Sequence, residues 1–158
     1  MEVLILKGNS IQGQGSVAIF NAIQVNNQIS YLDVSGNDIK EEGGMALASM
    51  LQVNNGLANL FISGCSLPAS AMIAISTVLQ SSNTIQQLDI SNNKLPTSGL
   101  SHSLLSDTMT HLSLAVKINF SIKILDLSKL GIDDFVMIHL LSPAIESNRY
   151  IETLNLSG

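Results

Sequence analysis

Apolar residues recur along this chain in two alternating rhythms. In Leu32-Asp33-Val34 they alternate with polar residues, the period of a strand with one buried face. The following stretch has the helical period. Ile19 and Ile23, Leu47 and Leu51, and Ile75 and Leu79 each stand four apart, which puts each pair on one face of a helix. Ala18, Ala46 and Ala74 lie beside these pairs and are expected to let each helix backbone come close to the layer below. Glu41 and Glu42 fall where a first helical turn favours acids, and Asn54-Asn55-Gly56 marks a helix stop. The pattern predicts a strand, a bend and a helix in each unit, none able to bury its apolar face alone.

These units repeat. Ile29-Ser-Tyr-Leu32-Asp-Val34-Ser-Gly-Asn37-Asp-Ile39 is followed by Leu57-Ala-Asn-Leu60-Phe-Ile62-Ser-Gly-Cys65-Ser-Leu67 and Ile85-Gln-Gln-Leu88-Asp-Ile90-Ser-Asn-Asn93-Lys-Leu95, each starting 28 residues after the last. An earlier copy runs from Met1 to Ile11, and later copies begin at Ile122 and Ile151, after gaps of 37 and 29 residues. One stacked array over residues 1–158 is expected, with units starting near 1, 29, 57, 85, 122 and 151, the last cut short.

The motif resembles the leucine-rich repeat, L-x-x-L-x-L-x-x-N/C-x-L. The 28-residue period and the helical half, as in Glu42-Gly-Gly-Met-Ala-Leu-Ala-Ser-Met-Leu51, are similar to the ribonuclease-inhibitor-like subclass. The resemblance implies an α/β solenoid, a right-handed superhelix with a parallel sheet on its concave side and helices on its convex side. It also implies that Asn9, Asn37, Cys65 and Asn93 bond backbone groups inside the bends, with Cys65 a buried structural thiol. Ribonuclease inhibitor, Ran GTPase-activating proteins, intracellular innate-immune receptors and axonemal repeat proteins share this architecture without sharing a function.

Four features depart from the repeat. The fourth unit is nine residues longer than the 28-residue period, and its surplus falls within about 99–110, on the helical side. His111 takes the place that Ala holds in earlier units. Leu130 replaces the bend Asn, and Pro143 is expected to kink or split the fifth helix.

Composition follows from the stack. The chain is 46% apolar and 12% charged, because each unit buries strand, bend and helix faces and fills its bends with Asn, Ser and Gly. A net charge of −5 and a single arginine, Arg149, argue against nucleic acid. The lone Cys65 cannot form an internal disulfide, so a reducing, cytoplasmic setting is the expectation, with the axoneme or nucleus as further possibilities. No apolar run approaches the roughly 20 residues of a membrane span, and the start does not fit a signal peptide. Met1 begins inside a strand motif and Gly158 stops inside another, which predicts a piece of a longer array or end-to-end association.

Several chemical motifs dissolve into the repeat. Gly13-Gln-Gly15-Ser-Val-Ala18 with Asp33 mimics a dinucleotide fingerprint, but Gly15, Ala18 and Asp33 recur as Gly43, Ala46 and Asp89. His102, His111 and His139 lack metal-ligand spacing, and Asn119-Phe-Ser121 matches a glycosylation acceptor by chance alone. No cofactor, metal or enzyme activity is expected. The candidate site is the outward row Ile5, Asp33, Phe61, Asp89, Asp126 and Asn155, flanked by Tyr31 and Gln87 and spanning about 24 Å. Such a face suits a protein partner with a basic segment and an apolar anchor. A GTPase-activating role through Arg149, or the sensing segment of an immune receptor, are the alternatives.

Overall fold

The computed structural model describes residues 2–93 and 101–158, with the side chains of 101–103 set aside. Six three-residue strands form one parallel sheet in chain order: β1 (Val3–Ile5), β2 (Tyr31–Asp33), β3 (Asn59–Phe61), β4 (Gln87–Asp89), β5 (Ile124–Asp126) and β6 (Thr153–Asn155). Between them run α1 (Gly13–Gln24), α2 (Lys40–Val53), α3 (Ala69–Leu79) and α4 (Ser101–Ile118). The last crossover comprises α5 (Asp134–Val136), a π turn (Met137–Leu141) and α6 (Ser142–Ser147). This is an α/β leucine-rich-repeat solenoid. Strands stack about 4.8 Å apart and helices no closer than about 8–10 Å, so the stack bends with its sheet on the inside.

The middle residue of each strand points at the helices. Leu32, Leu60, Leu88 and Leu125 are buried in register with one another, and Val34, Ile62, Ile90 and Leu127 follow them inward. Each such side chain contributes about 1.5–3 kcal/mol relative to exposure. From the helices come Phe20, Leu47, Ile75 and Leu112, all buried.

The close helix contact is made by residues other than the alanines expected to make it. Ala18 is exposed, and Ala46 and Ala74 are only half-buried. The near approach lies one turn away, where a Cβ on Gly43 would run into Ser16 Oγ and a Cβ on Gly44 would run into the Cβ of Ala71. Periodicity identified the buried face but not the point of nearest approach along it. His111 sits at the rim position vacated by the alanines, where the half-buried ring meets Thr77 Oγ1 at 3.4 Å.

Pro143 does not cut the fifth helix in two. It cannot donate to the carbonyl four residues earlier, and the run widens into a π turn just before it and then resumes as α6. Asp133 caps the start of this run, its carboxylate accepting from the Val136 N–H at 2.9 Å. In the fourth unit α4 spans 18 residues against 12, 14 and 11 in α1 to α3, while β4 and β5 stay in register. Part of the surplus expected within 99–110 lies outside the described residues, as does the side chain of His102.

Candidate functional site on the open face of the sheet

The strand register places Ile5 beside Asp33, Asp33 beside Phe61, Phe61 beside Asp89, Asp89 beside Asp126 and Asp126 beside Asn155. One position along the strands, a second row runs Val3, Tyr31, Asn59, Gln87, Ile124 and Thr153. These side chains alternate with the inward leucines, so all face away from the helices. Tyr31 and Phe61, diagonal across β2 and β3, pack with ring centroids 5.0 Å apart at 33°. With Val3 and Ile5, both exposed, they give the first half of the face an apolar patch. The second half carries Gln87, Asp89, Asp126 and Asn155, all half-buried.

The aspartates also hold the backbone. Asp33, Asp89 and Asp126 each accept from the N–H two residues on, at Ser35, Ser91 and Ser128, every bond 2.9 Å long. Asn155 repeats this toward Ser157 at 3.1 Å. Asp33 is the most enclosed, only 9% exposed, and one of its carboxylate oxygens serves the strand exit. At Asp126 burial opposes the charge. The Ser128 hydroxyl (2.6 Å), the Ser128 N–H and the Asn155 amide (2.8 Å) outweigh it and hold the carboxyl below its ordinary value. The serines form a second line: Ser63 Oγ meets Ser91 Oγ at 2.8 Å.

At the strand exits a ladder of bend residues joins the units. Asn37 Nδ2 donates to the Val34 carbonyl of its own bend at 2.7 Å and to the Leu6 carbonyl of the unit before at 2.9 Å. Its Oδ1 accepts from the Asn9 and Ile11 N–H groups, both at 3.0 Å. Asn93 repeats the arrangement toward Ile90, Ile62, Cys65 and Leu67. Cys65, fully buried between them, donates its thiol to the Val34 carbonyl at 3.3 Å. Burial first of all pushes that thiol up to about 11, which leaves it protonated and unreactive. Asn9 is exposed, and its amide makes one 3.4 Å bond to the Lys7 carbonyl. Leu130 is buried and fills its bend with apolar volume in place of an amide.

A second ladder, at the helix ends, was not anticipated. Asn54 Nδ2 donates to Ile23 and Asn26 carbonyls, Asn119 Nδ2 to Leu79 and Ser82, and Asn148 Nδ2 to Val116 and Asn119. Their Oδ1 atoms accept from the first N–H groups of the next strand entry, as Asn54 does from Gly56 and Leu57 at 2.9 Å. Asn26, Asn54, Ser82, Asn119 and Asn148 recur with the spacing of the units, a signal present in the sequence. Asn119 is buried, so the glycosylation match has no accessible amide.

The other chemical motifs are not brought together as sites. The side chain of Glu42 lies over Gly13 at the start of α1, where a phosphate would have to sit. The His139 ring packs on Phe135 at 4.8 Å, and no group of metal-binding side chains occurs among the described residues. Arg149 is exposed in the turn before β6, outside the Ile5-to-Asn155 row. No helix among the described residues is long and apolar enough to cross a membrane.

The repeat, the parallel sheet and the two asparagine ladders give this chain the fold of a leucine-rich-repeat solenoid. Two stretches match leucine-rich repeat families, residues 25–48 and 84–107. Among solved structures, the fold is similar to the leiomodin-1 actin-binding site 2, with a TM-score of 0.71 and 17% identity over 92% of this chain and 82% of that one. It is likewise similar to the tropomodulin C-terminal domain of Caenorhabditis elegans, with a TM-score of 0.72 and 14% identity over 93% of this chain and 83% of that one. No curated protein matches in sequence.

Proposed function

We propose that this chain is a non-enzymatic protein-interaction module that binds its partner on the concave face. The observation that carries this reading is the Tyr31–Phe61 pair, set by strand register beside Asp89 and Asp126 on one preformed surface. An aromatic pair supplies an apolar anchor, and two carboxylates fix the orientation of a basic segment. The short strands and ladder-bonded bends hold these groups in place before binding, which lowers the entropy lost on association. The module is of the ribonuclease-inhibitor-like kind, with one helix in each crossover. Selection of displayed random peptides on the immobilised chain tests it. A class rich in Lys or Arg with an aromatic or leucine should emerge. Its affinity should fall roughly tenfold or more for Asp89→Lys/Asp126→Lys and for Tyr31→Ala/Phe61→Ala. Unchanged affinity in both variants at low salt would sink the reading.

A second reading, actin as the partner, is favoured by the resemblance to the leiomodin-1 actin-binding site and the tropomodulin domain along nearly the whole chain. Sedimentation with filamentous actin and anisotropy with actin monomers check it, and binding that survives both double variants would move the contact off the concave face.

A further inference from the structure

The sheet is not the only surface on which this chain exposes aromatic groups. The turn between α4 and β5 carries Phe120, and the neighbouring turn between α6 and β6 carries Tyr150. They are 54% and 48% exposed and meet edge to face, with ring centroids 6.3 Å apart. Ile118, 46% exposed, ends α4 two residues before Phe120. Other units place Asn27, Asn55 and Asn83 where Phe120 stands, and Gln28, Gly56, Thr84 and Ser121 where Tyr150 stands. Neither aromatic is needed to close the core, since the equivalent positions named in the other units carry polar residues or glycine, most of them exposed.

The charge here differs from that of the rest of the molecule. Lys117, Lys123 and Arg149 are three of the seven cations in a chain of net charge −5. Lys123 Nζ lies 5.9 Å from the centre of the Tyr150 ring and 3.4 Å from Glu152. Within four residues of Phe120 or Tyr150 along the chain the acids are Glu146 and Glu152, so the two turns carry one positive charge in excess. Tyr and Arg are the residue types that dominate binding hot spots, and the only arginine of the chain adjoins one of its two tyrosines here.

The turns are also held in place. Asn148 Nδ2 donates to the Asn119 carbonyl at 2.9 Å, and Asn148 Oδ1 accepts from the Tyr150 N–H at 2.7 Å. Asn119 Oδ1 accepts from the Ser121 N–H at 2.9 Å. The ladder therefore fixes the backbone on which both aromatics stand, and little ordering remains for a partner to impose.

We infer that this edge is a second interaction surface, which takes a protein segment pairing an apolar side chain with carboxylates. The apolar group lies against Phe120 and Tyr150, and the carboxylates face Lys123 and Arg149. Its chemistry is the reverse of the concave face, so the two surfaces select different ligands, and the edge stands or falls apart from the concave reading. One net positive charge is too small an attraction for an anionic lipid surface, which binds through clusters of several cations.

Peptide selection on the full chain should also yield an acidic class with Leu, Phe or Trp at its centre. Titrated by fluorescence anisotropy, such a peptide should lose roughly thirty-fold in affinity for Phe120→Ala/Tyr150→Ala. Arg149→Glu should weaken it further as salt is lowered, and Asp89→Lys/Asp126→Lys should leave it unchanged. Because both rings are exposed, the circular dichroism and thermal midpoint of the double variant should match those of the parent chain. Arg149→Lys, which keeps the charge, should retain most of the affinity. The inference is overturned by failure of any acidic class to emerge, or by equal binding of that class to Phe120→Ala/Tyr150→Ala. It is also overturned by binding to phosphatidylserine vesicles that this variant abolishes while no peptide class depends on it.

Discussion

Two kinds of asparagine, one in the bend and one at the helix end, tie most units to the ones before them. Asn93 is buried, and its amide serves five backbone groups in two units. An alanine there strands buried N–H and carbonyl groups, each costing about 1–3 kcal/mol. Asn93→Ala should therefore lower the unfolding free energy by about 3 kcal/mol or more in urea titration, whereas Asn9→Ala, at an exposed amide, should change it by less than about 0.5 kcal/mol. An equal effect of the two would show that the ladder carries no stability. The bend ladder was legible in the sequence because Asn37 and Asn93 sit at a fixed place in an obvious motif. The helix-end ladder had the same spacing, but Asn54 already had an explanation as a helix stop and Asn119 sat within a glycosylation pattern. A residue type that suits several local roles conceals the long-range one. For the same reason the aspartates read as a binding row before their bonds to Ser35, Ser91 and Ser128 were visible.

Between elements, the determining quantity is how closely neighbouring helices can approach. Strands fixed by backbone hydrogen bonds set one spacing; helices must match it as nearly as their side chains allow. Residues of the smallest volume at the α2–α3 contact, Gly44 and Ala71, relieve that mismatch. Helix propensity alone favours Gly44→Ala by about 1 kcal/mol. The added methyl would meet both Ala71 and Leu67 at sub-contact distance, and overpacking of this kind costs about 1–3 kcal/mol. Gly44→Ala should consequently lower the thermal midpoint, and pairing it with Ala71→Gly should restore part of the loss; a raised midpoint in the single variant would contradict the packing account. This contact was not legible in the sequence. The helical period reports which side of a helix is buried, and Ala18, Ala46 and Ala74 satisfied it equally well. What separates them from Ser16, Gly43 and Gly44 is the rotation of each helix about its axis, fixed only by the whole stack. The strands were easier, since a period of two leaves one choice of face, and one register satisfies all five strand pairs.

Across the whole molecule, stability is a sum over units and over the interfaces between them. Strands β2 to β5 have a neighbour on each side, while β1 and β6 are the outer strands of the sheet. The leucines follow this order: Leu32, Leu60, Leu88 and Leu125 are buried, and Leu4 and Leu154 are half-buried. Truncating a buried leucine removes its transfer free energy and leaves a cavity, about 2–5 kcal/mol together, and a half-buried one loses correspondingly less. Leu60→Ala should thus cost about 3 kcal/mol and Leu154→Ala less than about half of that. The position of the cavity has a second effect. Leu60 lies at the link between the first two units and the last three, so weakening it loosens both adjoining interfaces at once. Once those interfaces fall below the intrinsic deficit of the flanking units, the two halves unfold separately. The slope of the urea transition should then drop for Leu60→Ala, because each step exposes less surface, and should stay near the parent value for Leu154→Ala. Parallel slopes in both variants would mean that the six strands unfold as one body, with coupling that extends beyond nearest neighbours.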